Sequence, residues 1–302
     1  MVNPKDRSVE ELIRKGVINI DKPRGPSSHE VAAWVKRALM INKAGHSGTL
    51  DPKVTGVLPI MLQDATKAIA GLVDVSKEYV CVLHLHKEVP EKKVSEIFRE
   101  FTGVIYQRPP VKSAVKRQIR KREIYNIDFL EHTGKDVLFK VGCEAGTYIR
   151  KLCHDVGEAL GVGGHMSELR RTKSGIFDES TLVTLHDLKD AYHFWVEDGE
   201  EGPIKDIIKP LEYGLRHLPK IVIRDTAVDA ICHGAKLTDP GVISVGDFKK
   251  KQLVGIYTRD GEIIALGISV LEEGIIAETK RVIMEPGTYP RYWKSKERYY
   301  SA

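Results

Sequence analysis

Apolar residues return at helical spacing at Val31, Trp34, Val35, Ala38 and Leu39, which predicts a helix there. Ser27 stands at the cap position, and Glu30, three residues on, completes a capping box. A short helix is predicted over 8–15, stopped by Gly16, and further helices over 64–73, 93–101, 148–160 and 184–196. Apolar runs at 17–21, 56–62, 79–86, 124–131, 136–143 and around 167–172 read as strands. AGHSGTLDP (44–52) is Gly-rich, has no periodicity and reads as a loop. The acidic stretch 196–210, with Gly and Pro, reads as an exposed connection. These elements mix without a steady βαβ rhythm. That predicts an α+β domain over about 1–217, its central sheet mixed and largely antiparallel and flanked by helices. Beyond about 218 the pattern changes to short apolar runs between Gly and Asp turns, with a hairpin signal at Arg259-Asp260-Gly261. This predicts a small all-β domain over 218–290, followed by a tail over 291–302.

A chain of 302 residues suits one large domain or two, and 42% hydrophobic residues supply a sizeable core. The formal net charge is only +5, from 47 basic and 42 acidic residues, so its distribution matters more than its total. No run approaches the ~18 apolar residues of a membrane span. The segment MVNPKDRSVEELIRKG lacks the apolar core of a signal peptide. The four cysteines form no C-x-x-C pair, which argues against a zinc site or a disulfide framework and for reduced thiols in a cytoplasmic protein. Neither a metal nor a cofactor is expected.

Two segments carry candidate chemistry. In GHSGTLDPKVTGVLPI, Gly45 and Gly48 permit tight backbone and Pro52 stiffens the chain after Asp51, so the loop presents one carboxylate next to a strand. Read alone, Asp51 is equally a turn former before proline. A carboxylate hydrolase is disfavoured, because no second carboxylate partners Asp51; Asp64 lies downstream in a helix cap. Between Phe101 and Arg122 stand Arg108, Lys112, Lys116, Arg117, Arg120, Lys121 and Arg122, with no acidic residue. A run this one-sided after Pro-Pro suits a loop that clamps RNA phosphates better than a solvated face. The tail RYWKSKERYYSA mixes cations with aromatic rings, a composition that suits stacking and phosphate contact; a disordered end or packing on the all-β domain fits it equally.

GHSGTLDPKVTGVLPI resembles the catalytic motif of the TruB-type pseudouridine synthases. NIDKPRGPSSHEV (19–31), KEYVCVLHL (77–85), QRPPVKSAVK (107–116), GTYIRKLCHDVG (146–157) and GHMSELRRTKSG (164–175) resemble further blocks of that family, in the same order. The long match from Thr147 to Gly175 is closer to the archaeal and eukaryotic dyskerin-type branch, and the residues after 218 resemble a PUA domain. The resemblance implies a uridine-to-pseudouridine isomerase with Asp51 as the catalytic carboxylate. That reaction needs no redox partner, energy source or metal. Attack on the sugar C1′ and removal of the 2′ proton both remain open, and both need an ionised, aimed Asp51. Arg150 matches the position that pairs with this aspartate, and Tyr79 the ring that stacks on the flipped uracil and handles its C5 proton. Without the resemblance, Arg150 reads as a surface cation and Tyr79 as a half-buried strand tyrosine. His46 matches a residue that holds the target nucleotide, though a loop-stabilising histidine fits its position as well. Lys22 and Pro23 match residues that brace the loop.

The same resemblance implies work on ribosomal RNA inside an H/ACA ribonucleoprotein, with a guide RNA and small partner proteins, and makes the T loop of tRNA a second target. Two rival readings stand beside it: a stand-alone tRNA pseudouridine synthase, and a non-catalytic RNA-binding scaffold.

Overall fold

The computed structural model describes residues 4–108, 118–272 and 274–290. Lys112, Lys116, Arg117 and the 291–302 tail lie outside the described residues. The chain divides into two compact units, one of Ile18–Ile60 with Leu72–Glu200, the other of Met1–Val17, Met61–Gly71 and Glu201–Ala302.

The larger unit is organised by strands β1 (Gly16–Lys22), β2 (Ala44–His46), β3 (Thr55–Leu62), β4 (Lys77–Leu85), β5 (Gly103–Gln107), β6 (Arg120–Thr133), β7 (Asp136–Cys143), β8 (Gly164–Ser174) and β9 (Phe177–Asp178). They run in the order β1-β3-β8-β4-β7-β6-β5, with β2 on β3 and β9 on β8. β3 and β8 pair in parallel, while β4 pairs antiparallel with both β8 and β7, and β6 with β5 and β7. The sheet is therefore mixed and largely antiparallel, as the irregular alternation predicts.

Side chains alternate across a strand, so Cys81, Leu83 and Leu85 of β4 and Val137, Phe139, Val141 and Cys143 of β7 line one face. The helices Glu91–Glu100 and Ile149–Ala159 bury Val94, Phe98, Ile149, Leu152, Cys153 and Val156 in the same core. That inward phase of β4 ends in Tyr79, where the apolar face gives way to polar groups.

In the smaller unit, helix Val9–Lys15 begins at a Ser8 capping box closed by Glu11. Gly16 and Val17 then pair with Pro210 and Lys209 in β10 (Lys209–Pro210). The remaining strands are β11 (Lys220–Ile223), β12 (Leu237–Thr238), β13 (Val242–Val245), β14 (Leu253–Tyr257), β15 (Ile263–Glu272) and β16 (Ile275–Val282). They form a six-stranded sheet in the order β12-β16-β15-β14-β11-β13, closed around Ile221, Ile223, Val254, Ile256, Ile264 and Ala277. β14 and β15 meet at the predicted Arg259-Asp260-Gly261 turn. Arg7 is buried here and grips Glu212 with both guanidinium arms at 2.8 and 2.9 Å.

Several predicted elements differ from those observed. The stretch 196–210 is an exposed connection only over 196–202: residues Glu201–Ile207 fold into a helix, with Ile204 fully buried and Ile208, just past its end, nearly so. Those two isoleucines stand four apart on one helical face, and Pro203 falls in the first turn, where a missing N–H costs nothing. Ala44–His46, expected as loop, is strand β2 on the edge of β3. The helix predicted over 64–73 is a 3-10 stretch, Gln63–Ala68, followed by one α turn, Ala70–Val73. The helix predicted to reach 196 leaves α geometry after His193, where a π turn spans Phe194–Asp198. A helix at Asp225–Cys232 was hidden by its short, mixed apolar pattern. Among the described residues no helix is long and apolar enough to cross a membrane.

Ile204→Ala is expected to remove about 3 kcal/mol of stability, as large-to-small core changes do. The check is a fall in the urea midpoint at unchanged slope. A loss below about 0.5 kcal/mol, the scale of ordinary surface changes, would return this segment to a surface connection.

Candidate active site

The loop between β2 and β3 presents Asp51 outward, its side chain 53% exposed. Each of its turns is tied down from beneath. Lys22, fully buried at the end of β1, donates from Nζ to the carbonyls of Pro23 (2.9 Å), Pro52 (3.1 Å) and Val54 (2.8 Å). Burial lowers the pKa of Lys22, while the nearby Asp51 and Glu30 carboxylates oppose that shift. Ser28, in the first turn of helix Ser28–Ala38, accepts from the Leu50 N–H at 2.8 Å and donates to the Leu50 carbonyl at 3.2 Å. The Asp51 carbonyl accepts from the Val54 N–H, closing a turn over Pro52, and Gly25 N–H donates to the Pro52 carbonyl. Gly48 has φ +92° and Gly56 φ +100°, a region that only glycine occupies without strain. A Cβ on Gly56 would lie 2.2 Å from the Arg171 carbonyl, so the close β3–β8 approach requires glycine there.

Arg150 forms an ion pair from Nη2 to Oδ2 of Asp51. It stands in the first turn of helix Ile149–Ala159, whose start is fixed by Gln107. Gln107 donates from Nε2 to the Tyr148 carbonyl at 3.1 Å and accepts from the Tyr148 N–H at 2.9 Å. Arg171 of β8 is 1% exposed; its Nε donates to the Val57 carbonyl at 2.7 Å and its Nη2 to the Gly48 carbonyl at 3.2 Å. Tyr79 faces Arg171 across the β4–β8 pair. Burial raises the Tyr79 pKa, and the adjacent guanidinium pulls it back down. His46 packs edge-on against His29 with ring centroids 4.8 Å apart. Burial, then the charges of His29 and Arg171, lower its pKa.

The structure thus gathers Asp51, Arg150, Tyr79, Lys22, Pro23 and His46 around one loop. Of the predicted basic run, Arg108, Arg120 and Lys121 sit at the end of the β5–β6 pair where the chain passes from one strand to the other, with Gln107 paired with Arg120 and Tyr106 with Lys121. The sequence reading missed Ser28, Gln107, Lys77 and Arg171. For Arg171 a signal existed: it shares its strand phase with Leu169, so a charge falls on the inward side of β8. The cavity of about 520 Å³ in the smaller unit, lined by Arg7, Lys205, Glu212 and Asp260 among others, contains none of these residues.

An ionised carboxylate, exposed on a rigid loop and aimed by a guanidinium, can act on an electrophilic carbon or on a proton beside it. Comparison with known proteins identifies the chemistry. Residues 36–93 and 86–149 match the N-terminal domain of the TruB family pseudouridylate synthases, and 150–216 match the tRNA pseudouridylate synthase B C-terminal domain. The chain belongs to the TruB family of pseudouridine synthases. Residues 219–285 match a PUA domain and 2–32 the DKCLD (NUC011) domain. The synthase is 58% identical to a probable tRNA pseudouridine synthase B of Methanopyrus kandleri, across 97% of this chain and 89% of that one. It is also 58% identical to the protein of that name in Methanosarcina barkeri, across 97% and 90%. A chain in a solved Cbf5–Nop10–Gar1 complex is 50% identical, with TM-score 0.92 over 96% of this synthase and 92% of that chain. Another, in an H/ACA RNP bound to a substrate RNA containing 2′-deoxyuridine, is 48% identical, with TM-score 0.89 over 96% and 92%.

Lys22→Met keeps an unbranched apolar stem, one atom shorter, and removes every donor. It strands up to three buried carbonyls, at about 1–3 kcal/mol for each that finds no water. The synthase is expected to lose stability, and amide exchange is expected to speed up selectively at Leu50 and Val54. Unchanged exchange at those two amides would mean that the loop holds itself.

Proposed function

We propose that this synthase isomerises selected uridines of RNA to pseudouridine in the cytoplasm, with Asp51 as the catalytic carboxylate. The single observation that carries the site assignment is the exposed Asp51–Arg150 ion pair on a loop whose carbonyls are held by buried donors. Pseudouridine formation breaks N1–C1′ and joins C1′ to C5 of the same base. Asp51 acts at the sugar, on C1′ itself or on the 2′ proton. Arg150 aims it, and Tyr79 stacks on the base and moves its proton. A paired uridine must first leave its helix, which costs a few kcal/mol. Arg108, Lys112, Lys116, Arg117, Arg120 and Lys121 offset that cost by holding phosphates, and His46 holds the displaced nucleotide.

The target is ribosomal RNA, and the synthase is the catalytic subunit of a guide-RNA H/ACA ribonucleoprotein with small partner proteins. The relatives solved in a Cbf5–Nop10–Gar1 complex and in an H/ACA RNP support this reading. The curated relatives named tRNA pseudouridine synthase B favour a second substrate, the T-loop uridine of tRNA. Incubating the pure chain with unmodified tRNA, and the chain with guide RNA, partners and rRNA fragment, separates the two. Product only in the guided reaction assigns the ribonucleoprotein role; product on tRNA alone assigns the stand-alone one. In this reading residues 1–217 carry the chemistry and the PUA-like 218–290 anchors RNA. That division cuts through the smaller compact unit, so truncation at 217 removes most of its sheet and is no clean test.

Asp51→Asn is nearly isosteric and is expected to lower turnover by more than about a thousandfold, roughly 4 kcal/mol of barrier, with RNA affinity within a few-fold. Arg150→Lys is expected to restore little of the activity lost in Arg150→Ala, since an ammonium lacks the planar fork. Full activity of either Asp51→Asn or Arg150→Lys rejects the corresponding role.

Replacing Arg108, Arg120 and Lys121 together by Gln is expected to flatten the salt dependence of RNA binding. Each lost phosphate contact lowers the log–log slope by up to about 0.9. An unchanged slope would make the hairpin end a solvated face.

A further inference from the structure

Arg171 holds more charge than its structural task requires. Two backbone carbonyls can be satisfied by neutral donors, yet here they are met by a guanidinium that is 1% exposed. No carboxylate among the described residues lies within ion-pair distance of it. Lys77 adds a second buried cation beside it. Its Nζ donates to the carbonyls of Val73 at 2.5 Å and Val75 at 2.6 Å. A Cβ built on Gly48 would stand 3.4 Å from Arg171 Nη1 and 4.0 Å from Lys77 Cε, so both cations lie under the same turn of the loop. Burial, then the like charge of Arg171, brings the Lys77 pKa down to about 8. Uncompensated buried charge is disfavoured, and such an arrangement persists at functional sites where an anion forms during the reaction.

The group placed to become that anion is Tyr79. It is the direct cross-strand neighbour of Arg171 in the β4–β8 register, a separation at which Cβ atoms stand about 5 Å apart. With Nε and Nη2 of the fork held by Val57 and Gly48, the guanidinium cannot swing away from it.

We propose that Arg171 is a positioning residue that acts through Tyr79, as the fixed counter-charge for the phenolate formed while uracil changes its point of attachment. The proposal rests on Tyr79 handling the proton of the base. As N1–C1′ breaks, its electron pair stays on the base, and the phenol gives its proton to N1. C1′ then bonds to C5, using the C5=C6 electron pair. The C5–H bond breaks, its pair restores C5=C6, and the phenolate takes the proton. One proton has moved from C5 to N1, and Tyr79 ends as it began.

The test uses the full chain assembled with guide RNA and partner proteins, in single turnover, on substrate RNA carrying either uridine or 5-deuterouridine at the target. Arg171→Lys keeps the charge and loses the fork. It is expected to slow product formation by about a hundredfold, the scale of losing one transition-state donor. It is also expected to raise the isotope effect at C5 and to move the pH profile upward, because phenolate formation becomes harder. Starting from Tyr79→Phe, the same change is expected to alter the residual rate less than threefold. A slowed Arg171→Lys with unchanged isotope effect and pH profile, or an equal slowing in the Tyr79→Phe background, overturns the proposal. Should Arg171→Lys fail thermal unfolding controls, a fluorotyrosine at position 79, which ionises more easily, gives the independent measurement. A downward move of the pH profile supports the proposal, and an unmoved profile overturns it. Wild-type activity in Tyr79→Phe removes the reading on which the proposal rests. An inactive Tyr79→Phe beside a fully active Arg171→Lys overturns the proposal alone.

Discussion

A carboxylate that must meet substrate cannot be held in place by its own burial. It has to stand in solvent on a backbone that does not move, and irregular backbone has no ladder of hydrogen bonds to stiffen it. Water would satisfy the loop carbonyls but would not fix them. The structure meets this constraint with donors from three directions: Lys22 from β1, Ser28 from the helix that follows, and Arg171 from β8. Those donors determine which elements must converge. β1, β3 and β8 come together in the sheet order, and β3 and β8 approach closely enough to require Gly56. The large sheet therefore does two jobs: its inward face builds a hydrophobic core, and the end of that face supports the loop.

Using cations as the buried donors has an electrostatic consequence. Lys22, Lys77 and Arg171 place positive charge beneath a loop whose only exposed acid is Asp51, itself beside Arg150. A net charge of +5 spread over 302 residues describes this poorly. The basic hairpin end at Arg108, Arg120 and Lys121 lies in solvent, where salt screens it beyond about 10 Å at 0.1 M. The buried set escapes most of that screening. In the proposed function the first group bears on RNA capture and the second on the charge distribution around the bound base, and the two are expected to respond differently to ionic strength.

The parts of the fold and the site legible in the sequence are those where local rules act alone. The Ser27–Glu30 capping box and the Arg259-Asp260-Gly261 turn are each set by neighbours in the chain. The segment 201–208 misled because its polar composition outweighed Ile204 and Ile208, four residues apart, and only tertiary burial of the two reveals its helix. Asp51 stood out because Gly48 and Pro52 frame it locally. Ser28, Gln107 and Arg171 did not, because each acts on backbone 22, 41 and 123 residues away, respectively. A hydrogen bond of that span leaves no periodicity. Only the inward phase of Arg171 betrayed it.

The Asp51–Arg150 pair is half-exposed on both sides, and such pairs contribute little to stability, about 0–1 kcal/mol. In the proposed reaction its value lies in aim rather than in holding the fold, and the pair would gain strength where bound RNA excludes water and the effective dielectric falls. Arg150 is itself aimed by the start of its helix, and that start is held on both sides of the Tyr148 peptide by Gln107. Gln107 is the last residue of β5, immediately before Arg108 and paired with Arg120. The strand end that carries the basic residues is thus hydrogen-bonded to the helix that orients the carboxylate. If, as proposed, that strand end meets a phosphate backbone, a shift of it would reach Arg150 through the two hydrogen bonds to Tyr148, and would couple the capture of RNA to the direction in which Asp51 points.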